Sequence, residues 1–179
     1  GALDLASADL AGPAVFAADI GSLSIGDLSG ASLQLAGSAN FALTARAVQN
    51  TTLAASQSAL TLDAQSWTRL PAGNSAISAA ALRSALVQGD LSADMQLSGT
   101  GVGGFVLGNV QVGGAVSGVW SVVGRGLAVQ AGSSSDAWRA NFSGTLAKFA
   151  TRGDASGQLS VAGLQMLDVG GSTRNLSLL

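Results

Sequence analysis

Leu91-Ser92-Ala93-Asp94-Met95-Gln96-Leu97 alternates apolar and polar side chains without a break. In a strand, successive side chains point to opposite faces. Leu91, Met95 and Leu97 therefore share one face, and Ser92, Asp94 and Gln96 share the other. The same period of two recurs in Leu3-Asp4-Leu5, Leu23-Ser24-Ile25, Leu33-Gln34-Leu35, Phe41-Ala42-Leu43, Val110-Gln111-Val112, Leu159-Ser160-Val161 and Leu176-Ser177-Leu178. A chain that carries this pattern from end to end is all-β, with one apolar and one wet sheet face.

Turn residues separate these segments: Gly26-Asp27, Gly30, Gly37-Ser38, Gly89-Asp90, Gly113-Gly114, Gly132-Ser133, Gly153-Asp154 and Gly170-Gly171. Segment starts fall at roughly ten-residue intervals, which gives about 12 to 15 short strands. The connections are short, so the expected neighbours are antiparallel. No exact internal repeat is visible. One segment departs from the pattern. Asn74 or Ser75 can cap, and Gly89 can end, the Ala-rich run Ala76–Gln88, which reads either as a short helix near 75–88 or as one more Ala-rich strand pair.

Composition removes whole classes of function. The chain has 179 residues and no His, Cys or Tyr, and all ten acids are Asp. There is no Ser-His-Asp triad, no Cys-His pair and no His or Cys site for zinc, so an enzyme is not expected and no cofactor is implied. A net charge of −2 gives no basic footprint for nucleic acid. Charged residues are 10% of the chain, against about 25% in an ordinary domain, and 47% is apolar. That is ample material for a core and argues against disorder. The opening GALDLASADL carries two Asp and no Lys or Arg, so it is not a signal peptide. A start without Met and an end on Asn175-Leu176-Ser177-Leu178-Leu179 suggest a piece cut from a longer protein.

The other candidate features read as structural. Met95–Gly124 carries no charge, but it contains nine Gly with interspersed Ser, Thr, Asn and Gln, which suits Gly-rich strands and not a membrane helix. Gly99-Thr100-Gly101-Val102-Gly103-Gly104 has the texture of a phosphate loop, but a strand-like Phe105-Val106-Leu107 follows it where a helix is required. The Asp residues read as solvated turn and strand-end positions. The seven scattered Arg read as solubilising groups, and Trp67, Trp120 and Trp138 as core.

Three stretches carry a resemblance: Ile20–Ser38 (IGSLSIGDLSGASLQLAGS), Gln88–Gly99 (QGDLSADMQLSG) and Gly157–Gly171 (GQLSVAGLQMLDVGG). In texture the chain resembles the AsmA-like family of Gram-negative bacteria, with TamB and YdbH among its members. The resemblance implies an extended, curved, U-shaped (taco-like), mostly antiparallel sheet whose concave face is apolar. Residues 1–179 would then be a single β-groove segment of a bridge-like intermembrane phospholipid transporter. The whole protein would be anchored at the inner membrane and would cross the periplasm. Its partners would be phospholipid acyl chains and an outer-membrane barrel protein, with a role in outer-membrane protein assembly.

A one-sided apolar sheet must cover its apolar face, and acyl chains can do so at about 0.8 kcal/mol per buried methylene. By strand parity the groove lining is Leu23, Ile25, Leu33, Leu35, Phe41, Leu43, Leu91, Met95, Leu97, Phe105, Leu107, Val110, Val112, Leu127, Val129, Phe142, Leu159 and Val161. The alternative is a structural or adhesive β-solenoid segment of a secreted bacterial surface protein. Its closed, dry core would have stacked side chains. The irregular period counts against that alternative.

Overall fold

The computed structural model describes residues 1–17, 19–101 and 103–179. Sixteen strands run in order: β1 Ala2–Leu5, β2 Leu10–Phe16, β3 Ser22–Leu35, β4 Phe41–Gln49, β5 Thr52–Thr68, β6 Ala76–Val87, β7 Leu91–Ser92, β8 Asp94–Leu97, β9 Leu107–Val112, β10 Ala115–Ser117, β11 Val119–Val122, β12 Gly126–Ala131, β13 Ser133–Ser134, β14 Arg139–Thr151, β15 Gly157–Val169 and β16 Leu176–Leu178. No helix occurs among the described residues.

Among the described residues every strand pairing is parallel, and each residue's partner lies about one coil away in the sequence. Ala2 pairs with Ser22, Phe41 with Leu60, Leu82 with Leu107 and Lys148 with Met166. These registers define a β-solenoid of nine coils. One inward column runs Leu3, Leu23, Leu43, Leu62, Ala85, Val110, Val129, Phe149, Leu167. A second, shorter column runs from Leu10 through Leu28, Val48, Trp67, Leu91 and Val116 to Ser134. The third runs from Ala14 and Leu33 to Leu159 and Leu178. At about 4.8 Å between hydrogen-bonded strands, nine coils make a rod roughly 40 Å long.

The expected antiparallel taco is therefore incorrect, and so is the short helix. The period-two alternation reports only which face of a strand is buried, and it is the same in both architectures. The short Gly-rich connections are corners of a coil, not hairpins. The chain returns to its hydrogen-bonding partner only after passing through the other two faces, which supplies the long crossover a parallel pair needs. Residues 75–88 are chiefly strand β6, paired to β5 on one edge and to β8 and β9 on the other. Alanine's helix propensity is a weak preference, and pairing along both edges overrides it.

The coils differ in length. Leu33 to Leu53 spans 20 residues, Leu53 to Ile77 spans 24 and Met95 to Trp120 spans 25. The extra residues are extruded at corners. One bulge is Leu70–Asn74, around Pro71. The other is the Gly99–Gly104 run, in which Val102 lies outside the described residues. Corners also need close backbone approach. A Cβ on Gly113 would run into the carbonyl oxygen of Gln88 one coil away. Gly30, between two faces of β3, has φ 61°, in the left-handed region that glycine enters without penalty.

Candidate functional site

The eighteen residues assigned to a groove by parity are mostly one buried core. Leu23, Ile25, Leu33, Leu35, Phe41, Leu43, Leu91, Met95 and Leu97 are all buried, as are Leu107, Val110, Val112, Val129, Phe142 and Leu159. They face inward from all three faces into one continuous cluster, so the apolar face is covered by the rest of its own coil. No open concave apolar channel is formed by these side chains.

Three assignments need correction or qualification. Phe105 is half-buried on the outer side, where the Arg125 guanidinium lies 4.8 Å from its ring centre, while Val106 takes the inward place. The extruded loop before it shifts the parity by one residue. Leu127 is half-buried and outside the core, between buried Gly126 and Ala128. Val161, paired to Phe142 of β14, is only partly buried against the core because β16 on its other side reaches only to Leu178, opposite Leu159.

Aromatic rings fill the interior. Trp138 stacks on Phe149 at 4.9 Å and meets Trp120 edge-on at 5.8 Å. The Trp67 indole N–H donates to Ser75 Oγ at 2.7 Å, and that of Trp120 donates to the Ala93 carbonyl at 3.1 Å. The Trp138 Nε1 and Ser135 Oγ atoms are buried without a hydrogen-bond partner. All three indoles are at zero exposure.

The aspartates have a role that their sequence positions conceal. Asp9 Oδ1 accepts from the backbone N–H of Asp27, and Asp27 Oδ1 accepts in turn from that of Ala47. Asp19 accepts from Ala39, Asp90 from Ala115, Asp94 from Val119 and Asp154 from Ser172. Asn50 accepts from Leu70 in the same way. Each bond links a corner to the next coil, where the ladder is broken and an N–H would otherwise lack an acceptor. These carboxylates are corner ties between coils. Asp9 and Asp27 share one arginine, and the other carboxylates sit apart along the rod. Among the described residues no cluster of three or more Asp forms a metal-binding group.

Several arginines also link coils. Arg46 makes a two-pronged contact with Asp27 at 2.8 and 2.7 Å and approaches Asp9 at 3.6 Å. Its hydrogen bonds hold the Asp27 carboxyl below the usual carboxylate range, and the Arg46 guanidinium is raised in return. Arg69 pairs with Asp94 at 2.9 Å, and Arg152 reaches back to the Gly113 carbonyl at 3.3 Å. The sequence signal for these ties is a polar pair separated by one coil, as in Asp27 with Arg46. It becomes visible only once the coil length is known.

The outer surface is shallow, with Val15, Leu86, Val119 and Val123 exposed among its polar side chains. A concavity of about 430 Å³ on the outer side of the first face is lined in part by Gln88, Gln111, Gln130, Lys148, Arg152 and Asp168. Small outward residues such as Ala150 and Gly113 create it by leaving gaps between longer neighbours. It has no aromatic platform and no buried charge. Among the described residues no helix is long and apolar enough to cross a membrane. Comparisons with protein-family models, with curated proteins and with solved structures each return no match, so this geometry alone bears on function.

Proposed function

We propose that the chain is a structural segment of a secreted bacterial surface protein: a self-supporting β-solenoid rod that spaces or displays other parts, without catalysis. The observation that carries this reading is the filled core. Trp67, Trp120, Trp138 and Phe149 occupy the interior with exposures of 0%, and two apolar columns run from the first coil to the last. A lipid-shielding role would require an apolar face left open for acyl chains. Here that face already packs against itself, so an acyl chain would have to displace well-packed side chains at their full burial free energy. The corner Asp ties and the ladder bonds act along the rod axis and join neighbouring coils, as a stalk under tension requires.

Native mass spectrometry of the purified chain, followed by lipid extraction, tests the reading. The expected result is a lipid-free protein that takes up no added phospholipid. Duplicating one coil, residues 119–138, should lengthen the particle seen by small-angle scattering by about 5 Å, one strand spacing. Co-purified phospholipid, or a particle that does not lengthen, would overturn it.

A further inference from the structure

On the first face, the residues between the buried ones form outward columns of their own. One runs Leu86, Gln111, Gln130, Ala150, Asp168 on successive coils. Beside it, Gln88 and Arg152 bracket Gly113 and Gly132, which carry no side chain. Ala150 faces outward and yet is only 9% exposed, because longer side chains stand around it. Ala150 and Gly113 are thus the floor of the concavity of about 430 Å³, a trough along the rod. Its rim holds groups with nothing to bind. Among the described residues, the side chains of Gln88, Gln111 and Gln130 make no hydrogen bond. Lys148, the only lysine of the chain, and Arg152 lie four residues apart on the outward side of β14, about 13 Å between Cα atoms. Among the described residues neither forms an ion pair. The bond from Arg152 to the Gly113 carbonyl lays its guanidinium along the trough.

We propose that this trough binds an acidic oligosaccharide, a chain of sugars that bear carboxylates. The inference goes beyond the reading of the chain as a rod and does not depend on it. Other ligands fit worse. Strand addition by a peptide is blocked, because β9, β12 and β14 are each paired along both edges. A single-stranded nucleic acid needs rings to stack on, and the trough has no aromatic side chain. An acyl chain needs an apolar lining, and this rim is amide and cation. A compact anion needs cations that converge, and these two stand apart. An extended ligand rich in hydroxyls, with negative charge at intervals, matches every group present. Each Gln amide offers a sugar hydroxyl both a donor and an acceptor. The Arg152 guanidinium can take one carboxylate by two parallel hydrogen bonds, and Lys148 a second. Leu86, 45% exposed, offers apolar surface to the C–H face of a ring. Asp168 stands at the ninth-coil end and repels carboxylates, which places the acidic groups on the Gln130 side of Ala150.

Titration of the isotope-labelled chain with tetragalacturonate, followed by heteronuclear NMR, is the test. The expected result is a saturable shift of the side-chain amide signals of Gln88, Gln111 and Gln130. Maltotetraose, which has the hydroxyls without the charge, should bind at least about tenfold more weakly, and so should a penta-aspartate peptide, which has the charge without the hydroxyls. Gln130→Ala and Lys148→Ala should each weaken tetragalacturonate binding about three- to tenfold. Gln96→Ala, on the outer side of the third face, should bind like the parent. Circular dichroism checks that each variant keeps its strands, and Gln111→Ala replaces Gln130→Ala if that one does not. The absence of a saturable shift, or shifts centred on another face, overturns the proposal. So does a penta-aspartate or maltotetraose affinity equal to that of tetragalacturonate, or a folded Gln130→Ala or Lys148→Ala variant that binds as tightly as the parent.

Discussion

Leu107→Asp separates a closed core from an open groove more sharply than any other single change. Leu107 is 0% exposed and is paired to Leu82 on one side and Gly126 on the other. Removing its side chain alone costs about 2–5 kcal/mol. The introduced carboxyl has no cation within the core to pair with and must stay protonated. Holding an Asp neutral at pH 7 against an ordinary value near 3.9 costs roughly 1.4 kcal/mol per unit over about three units, or about 4 kcal/mol. The combined loss of about 6–9 kcal/mol is comparable to the whole stability of a typical domain.

The sign of the pH dependence follows from the raised folded-state value. The variant retains its stability below the unfolded-state value near 4 and loses it as pH rises toward the folded-state value. Thermal melts followed by circular dichroism at pH 4 and pH 7 should therefore show a folded variant at the lower pH and a largely unfolded one at the higher. Val123→Asp, on the outer side at 54% exposure, should melt within a few degrees of the parent at both. A Leu107→Asp protein that melts like the parent at pH 7 would refute the closed core.

Gly113→Ala should destabilise by more than about 2 kcal/mol in chemical denaturation, because its Cβ meets the backbone carbonyl of Gln88. Gly163→Ala, whose Cβ would meet only Thr145 Cγ2 at 3.5 Å, should stay within about 1 kcal/mol of the parent. Trp67→Phe should cost clearly more than Trp138→Phe in the same assay. The first leaves the buried Ser75 hydroxyl without its 2.7 Å donor, whereas the second removes an indole N–H that has no acceptor. Asp94→Ala should cost about 1–2 kcal/mol by freeing the Val119 N–H and Arg69, and Asp94→Asn should recover part of it. Because Arg46 depresses the Asp27 carboxyl, their contact stabilises the fold above the ordinary carboxylate value and is lost as pH falls through the depressed one. In Arg46→Gln the acid-side loss of stability should begin at a higher pH, read from the melting temperature against pH.

Burial was legible in the sequence because it is a local property. In Leu91–Leu97 the alternation puts Leu91, Ala93, Met95 and Leu97 inside, and all four are buried. It failed at Phe105, just after the extruded Gly-rich loop, since a loop of arbitrary length resets parity. Topology was not legible. Strand direction is decided by partners 18 to 25 residues away, and the spacing varies because corner loops vary, so no fixed period appears. The corner Asp residues looked like ordinary solvated turns for the same reason: Asp90 and the Ala115 N–H it holds are 25 positions apart. The Ala-rich β6 run looked helical because helix propensity is local, whereas the ladders on its two edges are not.

The one-coil spacing of partners also sets how the chain finds its structure. Contacts between residues about 20 apart in a chain of 179 correspond to a relative contact order of roughly 0.1, in the range of helical bundles and below that of barrels and sandwiches. The loop that must close to add a coil is the same small one at every step, so its entropic cost does not grow as the rod lengthens. Once two coils have formed, each later one docks on a finished edge. Growth by such steps is zipper-like, and its speed is set by forming the first pair of coils and not by the number that follow.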